Sequence, residues 1–241
     1  MTDNIFEVKV MSKTAKKLQE YVESCKENTI IEMSSLYHEM FSDHSEMAFA
    51  KAVERMATEG AIVHLSKGLY YKPENSEFGM VPLSDEDIAD YYMKDGHGIV
   101  IGYRLYNEKG ITTQVSKSIV VLSDSLRSEQ KKARNVKIIR TSVMLTPSTI
   151  PVLETLEILQ NYSRIEDLNN KGLILYMERF ASSYSDSAAD DVLKNRKYKK
   201  STIAFLKEFL DYLKVPNSLD KYLSKLSVYK VPGMEEIYEN A

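Results

Sequence analysis

The chain has 241 residues, 43% apolar content, one cysteine and a formal net charge of −3. That length and apolar content allow two ordinary domains with real cores, and they exclude a disordered chain and an intramolecular disulfide. The amino terminus lacks a basic-then-apolar signal pattern, and the longest apolar runs, such as Ile119 to Leu122, are too short to span a bilayer; a cytoplasmic protein without membrane contact is expected.

Behind Ser12, the residues Leu18, Tyr21, Val22 and Cys25 fall at i, i+3, i+4 and i+7 and predict a first helix, with Cys25 as a small core residue. Ser34 precedes a short helical set, Leu36, Tyr37 and Met40. Asp43 and Glu46 sit three apart, like a capping box, before a helix that Gly60 ends. Phe49, Ala52, Val53 and Met56 give that helix a buried face, leaving Ser45, Ala48, Lys51 and Arg55 on the other. Small residues in a first turn let a helix approach base edges, and basic residues one turn apart reach phosphates. Ile62 to Leu65 then alternates, turns at Lys67-Gly68 and returns through Leu69, Tyr70 and Tyr71 to Lys72-Pro73, a two-stranded wing.

Helix, helix, helix, hairpin is the order of a winged helix-turn-helix, so residues 1–75 are expected to bind double-stranded DNA. Ser45, Ala48 and Lys51 would face the major groove, and Arg55 and Lys67 would hold phosphates. Lys72 is expected on the same side, and His44 is a further candidate for a phosphate. Nine Lys or Arg against twelve Asp or Glu over residues 1–75 give −3, so DNA binding depends on how the charge is distributed. A small helical domain with a hairpin is also compatible with protein docking.

Glu74 to Pro82 reads as a polar boundary, and residues 76–93 as an acidic connecting segment whose helix, capped by Ser84, runs to about Met93. In the remaining domain, 94–241, Ile99 to Ile101 leads to a helix from about Tyr103 to Lys109, ended by Gly110. Ser118–Leu122 and Val136–Val143 read as two pairing strands of a small sheet, with the polar segment Ser123–Arg134 between them. Lys131, Lys132, Arg134, Lys137 and Arg140 lie on and beside that hairpin and are candidates for contact with nucleic acid or a partner. From Pro147 the pattern turns helical, most clearly over Ser201–Leu213, and Val231-Pro232-Gly233 begins a tail. The whole reads as α+β. No nucleotide-binding, metalloprotease or serine-hydrolase motif is present, and His38, His44, His64 and His97 lack ligand spacing, so a non-enzyme with no metal or cofactor is expected.

Two stretches resemble a known family. Ile99-Val100-Ile101-Gly102-Tyr103-Arg104-Leu105-Tyr106-Asn107-Glu108-Lys109-Gly110-Ile111-Thr112-Thr113-Gln114-Val115 resembles the central signature of AbiEi-like antitoxins, in which a short strand and helix lead to Gly-Leu-Thr-Thr-Gln-Val. Lys67-Gly68-Leu69-Tyr70-Tyr71-Lys72-Pro73 is similar to the Arg-Gly-Val-Tyr-Tyr-Lys-Pro ending of the winged helix in those proteins. Tyr103-Arg104 and Ser116 depart from the pattern, and the likeness covers residues 10–145. The resemblance implies an antitoxin of a type IV abortive-infection pair. Its winged helix would repress its own promoter at inverted repeats, and its carboxy-terminal domain would counter a nucleotidyltransferase-like toxin, without a stable complex being required. A stand-alone winged-helix regulator with a sensing or dimerising second domain is the alternative.

Overall fold

Residues 12–241 are described by a computed structural model, and they begin with a capped helix. The Ser12 hydroxyl accepts the Ala15 amide at 3.2 Å, and α1 (Lys13–Ser24) buries Ala15, Leu18 and Val22. There follow β1 (Ile30–Glu32), α2 (Met33–Met40), α3 (Glu46–Thr58), β2 (Val63–Ser66) and β3 (Leu69–Tyr71). β3 lies between β1 and β2, antiparallel to both, with Ile31 opposite Tyr70 and His64 opposite Tyr70 on the other side. Leu18, Phe41 and Ile62 are wholly buried in the core these elements share, each contributing about 1.5–3 kcal/mol. Strand β1 was not expected, because three residues are too few to show a period.

Two local expectations are corrected. The capping box between Asp43 and Glu46 does not form: Ser45 is the N-cap of α3 without a side-chain capping bond, and Asp43 pairs with Lys17 at 3.9 Å. Ser34 does not precede its helix, since α2 already starts at Met33.

The polar stretch after the wing is ordered as a hairpin, β4 (Glu74–Ser76) and β5 (Gly79–Val81), turned at Gly79 with φ +105°. Ser84 then caps α4 (Asp85–Met93) reciprocally: its hydroxyl accepts the Asp87 amide and its amide donates to Asp87 Oδ2, both at 3.0 Å. The chain divides into two compact units between Ile88 and Ala89, inside this helix. The architecture is α+β.

The second unit holds a four-stranded sheet in the order β6-β7-β9-β8: β6 (Gly98–Ile101), β7 (Ile119–Ser123), β8 (Gln130–Ala133) and β9 (Val136–Arg140), with α5 (Tyr103–Glu108) between β6 and β7. β7 and β9, expected to form a hairpin, are parallel neighbours; the hairpin is β8–β9. The intervening polar segment supplies the edge strand β8, and an edge strand tolerates charged residues, so its sequence lacks the usual apolar alternation. Gly98 is required where β6 begins, because a Cβ there would lie 2.4 Å from the Tyr92 carbonyl oxygen.

Five helices follow: α6 (Thr149–Asn161), α7 (Asn170–Ser182), α8 (Asp186–Asn195), α9 (Lys200–Tyr212) and α10 (Met234–Glu239). α6 is buried on nearly all sides and touches α7, α8 and α9, as a helix apolar around its circumference must. The supposed tail therefore contains a helix, and Met234 and Ile237 of α10 are buried in the same core. Buried charge inside this bundle is paired. Glu157 Oε1 accepts Arg196 Nε at 2.9 Å and the Tyr198 hydroxyl at 2.8 Å. Burial and the neighbouring Glu157 push the Tyr198 phenol far above its ordinary range.

Candidate nucleic-acid interface

α3 turns Phe49, Ala52, Val53 and Met56 inward, which leaves Met47, Ala50, Lys51, Glu54 and Thr58 exposed. Of the residues expected to meet DNA, Ser45 and Lys51 are exposed, as is Lys67 in the wing turn. Ala48 is half-buried. Arg55 is half-buried and paired with Glu59 at 3.1 Å, one turn on. Gly68 has φ +70°, and that left-handed conformation suits a residue without a Cβ. Met47, 68% exposed on the Lys51 ridge, was missed; only its spacing from the buried residues could have revealed it.

Lys72 is not grouped with these cations. Its ammonium donates to the carbonyls of Glu23 at 3.0 Å and Cys25 at 2.7 Å, and so satisfies the C-terminal end of α1. His44 is also engaged internally, its Nδ1 lying 2.9 Å from the Thr14 hydroxyl. Tyr71 is buried, and the half-buried Tyr70 ring packs edge-on against His64 with centroids 5.1 Å apart.

In the second unit, Lys132 on β8 and Lys137 on β9 are exposed and directly opposite each other in register. Like charges so placed destabilise a strand pair unless an anion bridges them. Arg134 occupies the β8–β9 turn with φ +52°, Lys131 is half-buried, and Arg140 is exposed at the end of β9. β8–β9 therefore gathers all five expected cations, although only Lys132 and Lys137 share a cross-strand position.

Gly110–Gln114 is turned inward. Asn169 donates its backbone N–H to the Ile111 carbonyl at 2.8 Å, and the buried Thr112 hydroxyl donates to the Glu166 carbonyl at 2.6 Å while accepting the Gln114 amide at 3.2 Å. The Gln114 side chain donates to Asp167. Tyr103 reinforces this latch: its hydroxyl donates to the Arg164 carbonyl at 2.9 Å and accepts the Glu166 amide at 3.2 Å. Gly172 packs so tightly that a Cβ would lie 1.9 Å from the Gly110 carbonyl oxygen. The segment thus fastens the end of α5 to the loop before α7.

Among the described residues, no three His, Cys, Asp or Glu side chains gather as a metal site requires, and no helix is long and apolar enough to cross a membrane.

These features define an α+β protein with a three-helix unit bearing a small antiparallel sheet, followed by a sheet-and-helix unit. The chain belongs to DUF6088, a family of unknown function, whose profile matches residues 17–157. No curated protein matches it. Among solved structures it is similar to the RV2827C protein from Mycobacterium tuberculosis, at 11% identity over 84% of this chain and 78% of that one, with a TM-score of 0.42.

Proposed function

We propose that this protein is an autoregulatory repressor and antitoxin, a cytoplasmic non-enzyme that binds inverted repeats in its own promoter through the first unit. The observation that supports DNA binding is the placement of Lys51 on the exposed ridge of α3 and of Lys67 in a glycine-containing wing turn, within a unit that has the helix and strand order of a winged helix-turn-helix. In this function Lys51 and Ser45 approach base edges, Met47 offers an apolar contact to thymine methyl groups, and Lys67 neutralises a phosphate. Arg55 reaches a phosphate by exchanging Glu59 for it. The Lys132–Lys137 pair gives the second unit a place to meet a polyanion. The resemblance to AbiEi-like antitoxins supports the second activity, countering a nucleotidyltransferase-like toxin.

The test is a mobility-shift titration with the upstream DNA. Replacing Lys51 and Lys67 together by Ala should weaken operator binding at least tenfold and lower the slope of log affinity against log salt by about 2, with the fold intact. An unchanged affinity and slope would remove α3 and the wing from the interface. Co-expression with the adjacent gene tests antitoxicity: rescue of growth is expected, and its failure leaves a stand-alone regulator.

A further inference from the structure

Between α2, α3 and the wing lies a groove of about 380 Å³. α3 contributes Glu46, Phe49, Ala50, Val53 and Glu54, spaced i, i+3, i+4, i+7 and i+8, so they form one face of the helix. α2 contributes Met33, Tyr37 and His38, and Gly68 and Tyr70 close the wing side. Met33, Phe49 and Val53 are buried and make an apolar floor. The Tyr37 and Phe49 rings stand 5.3 Å apart, and the Tyr37 hydroxyl is already committed to the His44 carbonyl at 2.8 Å, so this residue offers the groove its ring.

The rim has one sign of charge. Glu46 and Glu54 are exposed, and no Lys or Arg lines the groove, although Lys51 and Lys67 flank it. No ion pair engages either carboxylate among the described residues. Two carboxylates repel a phosphate or a carboxylate ligand, and a neutral apolar ligand would leave them dehydrated without compensation. Aromatic rings beneath carboxylates instead match a protonated amine on an apolar body, held by cation–π and charge attraction. The volume is that of a small-molecule site at the lower end of the usual range.

We infer that this groove is a binding site for a small organic cation, an aliphatic or aromatic amine, and that its occupancy opposes DNA binding. The coupling rests on the repressor function proposed above; the binding does not. A bound amine stands between α3 and the wing turn, the two elements that would straddle the DNA backbone, and by linkage DNA and amine must weaken each other by the same factor.

The test uses the full chain and three isosteric probes, phenethylamine, 2-phenylethanol and phenylacetate, followed by ¹H–¹⁵N chemical shifts of Ala50, Val53 and Gly68. Phenethylamine should saturate with a Kd on the order of 1 mM, as befits so small a ligand, the alcohol should bind at least about fivefold more weakly, and phenylacetate should not saturate. Glu46→Gln with Glu54→Gln should reduce the amine to the level of the alcohol, and Ala50→Trp, at an exposed position, should plug the groove against both while the spectrum remains dispersed. Equal binding of all three probes, unchanged amine binding after the double Gln replacement, or binding of a basic peptide without the amine would overturn the site. In a parallel mobility shift, saturating amine should weaken operator binding. DNA affinity unmoved by bound amine overturns the coupling, whereas absence of any DNA binding overturns the repressor function and leaves the amine site standing.

Discussion

The wing stretch Lys67–Pro73 and the segment Gly110–Val115 carry the two recognisable motifs of this chain, and the structure uses them differently. In the wing, Leu69, Tyr71 and Pro73 are buried and Lys72 closes α1, but Lys67 and Gly68 remain at the surface. In Gly110–Gln114 the hydrogen bonds run inward, to Glu166, Asp167 and Asn169, and only Thr113 and the following Val115 project into solvent without a structural task. A characteristic motif can therefore mark a fastening as readily as a contact surface. The difference lies in where its polar groups find partners.

Substitutions sharpen that contrast. Gly172→Ala should have the largest effect, because its Cβ would meet the Gly110 backbone and the chain must shift to admit it. A loss of about 3 kcal/mol or more is expected from urea denaturation, and a loss under about 1 kcal/mol would mean the latch is loose. Thr112→Val comes next, removing the donor to the Glu166 carbonyl and the acceptor for the Gln114 amide inside a buried site. It should cost about 1–3 kcal/mol in the same measurement, and a neutral result would break the comparison on the side of the latch. The smallest effect belongs to the wing: Gly68→Ala meets nothing within 4 Å, so only the positive φ opposes it, at about 1 kcal/mol. A melting shift as large as that of Gly172→Ala would show the wing turn to be as constrained as the latch.

Much of the first unit was legible because its elements are amphipathic on a local scale. The stripe Phe49, Ala52, Val53 and Met56 gave α3 and its inner face, and Lys67-Gly68 gave the turn between β2 and β3. Legibility ended where spacing could not say which exposed cations already had partners. Arg55 is held by Glu59, and Lys72 by two carbonyls at the end of α1, some fifty residues earlier in the chain. In the second unit, the period-2 pattern located the strands Ile119–Ser123 and Val136–Arg140 but not their parallel pairing, since a period of alternation carries no direction.

Residue order by itself determined the α+β class, the first three helices, the wing and the capped acidic helix, because burial periodicity, caps and turns act within a few residues of one another. Only the tertiary structure decided the edge position of β8, the docking of α10, the latch around Thr112 and the acid-rimmed groove beside α3. Each of these depends on partners brought together across the fold, where hydrogen bonding and exclusion of water operate on distance in space and not on separation along the chain.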